Sequence, residues 1–481
     1  MNNKKPIFII IGVFVVAAVS IAITFLLRGK DIYLNALPKD ATAIVRLDVI
    51  ELLNEADLTV GEQVELFQHF LRSDLSKLGV DAQEPIYAFV ATSGNFGLLA
   101  AVADNGDLRE RCQEWYDQGR ASQLEKQRGL YWVTLENQWL MAFDSDRALV
   151  MGPAAGAAQE TLRNEMAQLL AQDKDNSGVQ SALFAALANH EDALTAVVAP
   201  EILPREMRKL LRGVKVYDQT DALLLLNFEA DDNEIEIEAN ILAQSKGARE
   251  ELHRMGQLLR PIKGALAKYA RNDATLWMTF NLKGCELLDI LRKDLSIRTS
   301  LVALNLIFDA DNILRAIDGD LAVEMSNAAA LSSGKGLAAL QNLNLTAQIV
   351  NADFLSAAPT WGNALVRVQT LSESDFAMHL GETPTYFGVK DNTLYFGSSQ
   401  GLSEGDNSYL RKELDDIRDS RFYATVQIPQ LTQQLGVAEM VPQLLIMFQR
   451  MEIDMKRPEE LHLTFAAPEG TNVLRELLTS W

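Results

Sequence analysis

Apolar residues run from Pro6 to Leu27, interrupted only by Ser20 and Thr24 and bracketed by Lys4 and Lys5 before and Arg28 and Lys30 after. A run of about 22 residues matches the roughly 20 a helix needs to cross a bilayer core with its backbone hydrogen bonds made internally. It is longer than the core of a cleavable signal peptide and ends in Phe25-Leu26-Leu27-Arg28, with neither a small-x-small site nor an adjoining cysteine for lipid attachment. The pattern predicts an uncleaved anchor within residues 1–30. The amino terminus, Lys4 and Lys5 outweigh Arg28 and Lys30, which Asp31 offsets. That bias puts the N-terminus in the cytoplasm and everything from Asp31 onward on the periplasmic side of the cell membrane.

After the anchor the apolar positions fall into short runs separated by polar turns, and these runs recur. Asp40-Ala41-Thr42-Ala43-Ile44-Val45-Arg46-Leu47-Asp48 returns as Asp273-Ala274-Thr275-Leu276-Trp277-Met278-Thr279-Phe280-Asn281, and both lead into helix patterns at Glu51-Leu52-Leu53 and Glu286-Leu287-Leu288. A hairpin over Pro85 to Ala103, turning at Ser93-Gly94-Asn95, matches Gly319 to Met325 with Leu345 to Val350, joined by a longer Ala, Ser and Gly connection. A second hairpin, Ala142 to Gly152, matches Phe387 to Gly397. Ala193 to Ala199 followed by Pro200 resembles Phe422 to Ile428 followed by Pro429, and the pair Asp221 to Ile241 resembles Met451 to Ala466.

Ordered matches of this kind predict a tandem duplication. Each copy reads strand, helix, hairpin, hairpin, helix and three further strands. Short connections make the sheets mainly antiparallel, so the expected class is α+β, a transmembrane helix followed by two duplicated units, each a sheet with helices on one face. The strongest helix patterns are Val60 to Leu78, Gln159 to Ala171, Ala248 to Tyr269 with a break at Pro261, and Met440 to Arg450. The expected division is residues 1–30, 31–260 and 261–481.

Composition narrows the function classes. Acidic residues outnumber basic ones 65 to 44, a net charge of −21. Such a surface repels phosphate backbones and disfavours nucleic acid as a partner. Two cysteines, Cys112 and Cys285, leave a bridge undetermined. The five histidines, His69, His190, His253, His379 and His462, show no metal-ligand spacing, and His190-Glu191 lacks the second histidine of a zinc-protease helix. Asp309 to Asp320 has Ile313 and Leu314 where a calcium loop needs a ligand and a glycine, and turn chemistry accounts for Asp104 to Asp107 and Asp231 to Glu234. Ser332-Ser333-Gly334-Lys335-Gly336 lacks the first glycine and the hydroxyl of a phosphate loop. Tyr131, Trp132 and Trp139 cluster on one strand pair as core aromatics or a stacking surface. No catalytic, cofactor-binding or metal-ligating residue is assigned.

The apolar N-terminal run, the opening Ile32 to Asp48 with its Leu37-Pro38-Lys39-Asp40-Ala41 segment, and the duplicated α+β region are similar to a domain-of-unknown-function family of envelope-anchored proteins in the Bacteroidota. The resemblance implies an envelope location and supplies no catalytic residues. Members often carry a lipid-attachment cysteine, which this chain lacks. The expected function is a membrane-anchored extracytoplasmic protein, held through Pro6 to Leu27, that binds or scaffolds an envelope protein or ligand. The alternatives are a hydrolase or transferase whose site forms only in three dimensions, and a carrier of an apolar ligand such as a lipid.

Overall fold

The computed structural model describes residues 31–58, 79–190, 192–202, 222–293, 295–327, 343–362, 366–379, 384–435 and 446–479. The Pro6 to Leu27 run, the Val60 to Leu78 helix pattern, most of the Met440 to Arg450 pattern and the Ser332 to Gly336 connection lie outside the described residues. Among the described residues no helix is long and apolar enough to cross a membrane. The fold is α+β, with extensive antiparallel sheet and helices. The chain divides into two compact units, Met1–Ala248 with Gly470–Trp481, and Arg249–Glu469.

In the first unit the strands are β1 (Ala43–Leu47), β2 (Ile86–Val90), β3 (Phe96–Ala101), β4 (Glu125–Gln127), β5 (Leu130–Leu135), β6 (Trp139–Phe143), β7 (Arg147–Gly152), β8 (Leu194–Val198), β9 (Ala222–Asp231) and β10 (Glu234–Ala243). They pair antiparallel in the order 4-5-6-7-3-2-1-8-9-10. The helices are α1 (Val49–Glu55), α2 (Asn105–Asp117), α3 (Ala158–Leu170) and α4 (Ala182–Leu187). Local chemistry starts α1 and α2: the Asp48 side chain accepts from Glu51 N, and that of Asp104 from Gly106 N and Asp107 N.

The expectation of helices on one face is corrected here. Alternate residues of the first sheet feed two cores: Ile44, Phe89, Leu99 and Leu149 meet α3 and α4, whereas Leu98, Met141 and Phe143 meet α1, α2 and the C-terminal helix Val473–Thr479. Strand β3 is buried at every position after Phe96, so its one-sided alternation vanishes from the sequence. Each large apolar side chain fully buried in these layers contributes roughly 1.5–3 kcal/mol.

The second unit carries β11 (Leu259–Arg260), β12 (Leu276–Lys283), β13 (Ile317–Met325), β14 (Leu343–Ile349), β15 (Arg367–Thr370), β16 (Asp375–His379), β17 (Pro384–Lys390), β18 (Thr393–Gly397), β19 (Phe422–Gln427), β20 (Arg450–Arg457) and β21 (Glu460–Ala466). Apart from the two-residue β11, which pairs with the end of β12, the order is 15-16-17-18-14-13-12-19-20-21. The helices are α5 (Lys246–Leu258), α6 (Gly284–Leu291), α7 (Leu295–Asn305), α8 (Ala310–Ala316), α9 (Ser408–Lys412), α10 (Leu414–Asp419) and α11 (Ile428–Leu435). Here too both faces are covered, one by α6 and α8, the other by α9, α10 and the 262–270 segment.

Substituting β12 for β1, and so on down the chain, turns one strand order into the other. The repeated Asp-Ala-Thr segments set the register. Thr42 N donates to Val90 O at 2.9 Å and Thr275 N to Met325 O at 2.8 Å, while Ala199 N donates to Thr42 O and Gln427 N to Thr275 O, both at 2.8 Å. The spacer predicted from Ala248 to Tyr269 ends its helix at Leu258 and then pairs as β11. At the other end, Val473 N donates to Asp232 O at 2.8 Å and Leu474 is buried in the first unit, so the last residues leave the second unit.

Candidate functional site

Matched through that register, the two sheets present equivalent rows with opposite chemistry. In the first unit a row crosses β3, β2, β1, β8 and β9 as Gly97, Phe89, Ile44, Val197 and Leu225. In the second it crosses β14, β13, β12, β19 and β20 as Asn344, Glu324, Trp277, Thr425 and Glu452. The first row is buried throughout, whereas in the second Glu324, Trp277 and Thr425 are buried and Asn344 and Glu452 half-buried; Glu324 is 6% exposed where Phe89 is 2% exposed. A buried carboxylate persists only where donors replace its hydration.

The second unit supplies those donors. Glu324 Oε1 accepts from Arg271 Nε at 2.6 Å and Asn344 Nδ2 at 3.1 Å, and Oε2 accepts from Arg271 N at 2.9 Å. Lower on the same face Asp320, fully buried, accepts from Lys263 N, Ala265 N and Asn281 Nδ2 at 2.9 to 3.2 Å. Glu452 accepts from the Tyr409 and Tyr423 hydroxyls and from Arg450 Nε. Burial and the Glu452 charge hold both phenols above the ordinary tyrosine range. They act as donors and not as bases. Thr425 Oγ1, between Trp277 and Glu452 in the row, has no hydrogen-bond partner among the described residues.

A cleft of about 80 Å³ opens beside this row, lined by Tyr269, Arg271, Trp277, Glu324, Asn344, Thr346, Tyr395, Ser399 and Ser403. Arg271 is the one strong cation of the wall, 34% exposed and paired through Nε with Glu324 and, at 3.5 Å, Asp273. The Tyr395 hydroxyl donates to Asp375, whose carboxyl is held below its ordinary range by Ser372 and Tyr395. The cleft thus combines planar polar groups, hydroxyls and aromatic rings around a neutralised ion pair.

The first unit offers a wider depression of about 900 Å³ between β5, β6 and α3. Its Arg163 lies over the Trp132 ring at 5.1 Å and binds Glu125 at 3.1 Å, so its charge is already matched. Trp132 itself is 3% exposed and belongs to the core, and Tyr131, on the other face, carries Arg109 and Lys126 at 5.2 and 4.8 Å.

Other sequence candidates take structural positions. Asp309 precedes α8, Asp318 pairs with Arg260, and Asp320 holds backbone amides, so these residues do not form one loop. Asp104 caps α2, and Asp232 occupies the β9–β10 turn with φ of 36°. Cys112 is buried, its thiol pushed up to about 12 by burial, and Cys285 is exposed; both are free. His190 Nδ1 lies 3.2 Å from Asn227 Nδ2, and His462 Nε2 lies 2.8 Å from Glu460 Oε1. Glu191 and His69 lie outside the described residues. The row Asn344-Glu324-Trp277 was not among the sequence candidates. Its signal was a glutamate in the middle of an apolar strand at the position where the other copy has phenylalanine.

Residues 33–435 match the domain of unknown function DUF4836, and the chain belongs to that family. No curated protein matches it. Among solved structures, crystal form III of TP0453 is similar at 10% identity over 47% of this chain and 86% of that chain, with a TM-score of 0.28. Crystal form I of the same protein gives 8% identity over 43% and 76%, with a TM-score of 0.24.

Proposed function

We propose that the protein is a membrane-tethered extracytoplasmic binding protein of the cell envelope, held by Pro6 to Leu27 and built from two copies of one ten-stranded unit. In this reading the first copy keeps its sheet face as core. The second uses the same face for recognition.

The observation that carries the reading is the replacement of Gly97, Phe89 and Ile44 by Asn344, Glu324 and Trp277 at equivalent positions. An ion pair with a buried carboxylate and a part-exposed arginine stabilises a fold little compared with well-packed apolar residues, so its presence beside an open cleft favours a binding role over a structural one. The ligand class that suits it is a saccharide. Arg271, Glu324 and Asn344 present donors and acceptors in planes, Thr346, Ser399 and Ser403 add hydroxyls, and Tyr269 adds an aromatic ring. With Arg271 answered by two carboxylates, Glu324 and Asp273, the site favours a neutral polyol over an anion.

Thermal-shift titration of the full chain against a panel of neutral sugars and oligosaccharides tests this. A binding sugar raises the melting temperature of wild type, and Arg271→Lys, which keeps the charge beside Glu324 and loses the guanidinium fork, removes the rise. Equal responses of the two proteins across the panel would reject the site.

A further inference from the structure

Helix α7 exposes large apolar side chains among polar ones. Leu295, Val302 and Leu306 are 68%, 58% and 79% exposed, whereas Leu301 is 8% exposed. Leu306 N donates to Val302 O at 3.3 Å, so the helical path continues one residue past Asn305. Spacings of seven and four residues put the three exposed side chains within about 40° of one another around the helix axis. They form a stripe, and a soluble surface does not ordinarily gather its large apolar groups this way.

Charge singles out the same segment. The chain has 65 acidic residues, yet none falls between Leu295 and Phe308, where Arg298 is the one charged residue. Arg298 is exposed and sits about 60° around the helix from the stripe. The net charge of −21 opposes an approach to anionic headgroups over most of the chain, and this segment, bounded by Asp294 and Asp309, is the stretch where leucines enter the headgroup boundary and Arg298 meets phosphate. Its extent is a few hundred Å², short of the roughly 800 Å² per partner of a stable dimer.

We infer that α7 docks the second unit onto the surface of a bilayer with anionic headgroups. This rests on the membrane tether of the proposed function, because a tether makes docking intramolecular and lets a small stripe suffice. Tether and stripe are then two independent contacts of one chain with one membrane.

Amide exchange of residues 295–306 in the full chain, with phosphatidylglycerol vesicles, phosphatidylcholine vesicles or none, tests the inference beside vesicle flotation. Phosphatidylglycerol is expected to slow exchange in this segment by about tenfold, phosphatidylcholine by less. Combined Leu295→Ser, Val302→Ser and Leu306→Ser substitution, confined to exposed side chains, is expected to abolish the slowing while the chain still floats. Flotation of wild type with unchanged exchange overturns the docking and leaves the tether. Flotation of wild type but not of the triple variant supports the docking and overturns the tether. Failure of wild type to float rejects both, and lipid-free protection that grows with protein concentration overturns the docking in favour of a second copy.

Discussion

In the first unit Phe89 lies across Gly97, whose hydrogen leaves the space the ring needs; a Cβ there would overlap the ring. In the second unit the same two positions hold Glu324 and Asn344, joined by a 3.1 Å hydrogen bond, and Asn344 Oδ1 lies where a Cβ on Gly397 would be. One backbone plan therefore accommodates two kinds of interior. The first relies on apolar area with no directional demand. The second needs a buried carboxylate matched, and at Glu324 it achieves this with Asn344 from the next strand and with Arg271 from outside the sheet. A sheet topology fixes which residues are neighbours and leaves open what those neighbours exchange.

The largest test of the contrast is Phe89→Ala. A fully buried phenylalanine removed from a packed layer costs about 3–5 kcal/mol, and denaturant unfolding with amide exchange in β1 to β3 should place that loss in the first unit. A cost below about 1 kcal/mol would mean that the apolar row is not what holds that sheet face. Next comes the exchange of one pair for the other in the second unit. Glu324→Phe alone leaves Arg271 N without its acceptor and sets a ring against Asn344; combining it with Asn344→Gly recreates the pair of the first unit. The double variant should recover about 1–2 kcal/mol relative to the sum of the single changes. Strict additivity would break the positional equivalence.

The smallest expected effect concerns a carboxylate of the first unit that lacks such donors. Glu55, on α1, is pushed up to about 7 by burial and by Glu51, Glu229 and Asp192, and its Oε2 has no partner among the described residues. A raised carboxyl means that the folded state holds the proton more tightly than the unfolded state does. The associated stabilisation is complete below the unfolded value near 4.5 and is lost as pH rises through about 7. Glu55→Gln should therefore stabilise the first unit relative to wild type at pH 8, with the gain shrinking towards pH 4.5. A pH-independent difference in melting temperature between the two proteins would exclude a proton held at Glu55.

Legibility followed physical signal strength. The hairpins over Pro85 to Ala103 and Ala142 to Gly152 and the turn at Asp231 to Asn233 were readable because short apolar runs flank glycine and Asx turns, and the structure places β2–β3, β6–β7 and β9–β10 there. Strands β4 and β15 escaped. Their sequences, Glu-Lys-Gln and Arg-Val-Gln-Thr, lie at sheet edges where charge and polarity replace alternation. The expectation of helices on one face failed because a strand buried on both sides reads as a plain apolar run. Glu324 was absorbed into such a run, Gly319 to Met325, and only its alignment with Phe89 exposes it.

By itself the sequence determined the α+β class, the recurrence of the Asp-Ala-Thr strand with its hairpins, the strongly acidic surface and the apolar N-terminal run, since period, turn chemistry and charge are properties of neighbours along the chain. Only the tertiary structure decided that Asn344, Glu324, Trp277, Thr425 and Glu452 share one row, and that Arg271 reaches back to neutralise its first carboxylate. Those residues come from five strands separated by as many as 175 positions (452 − 277). Their meeting depends on strand register, which no local pattern encodes.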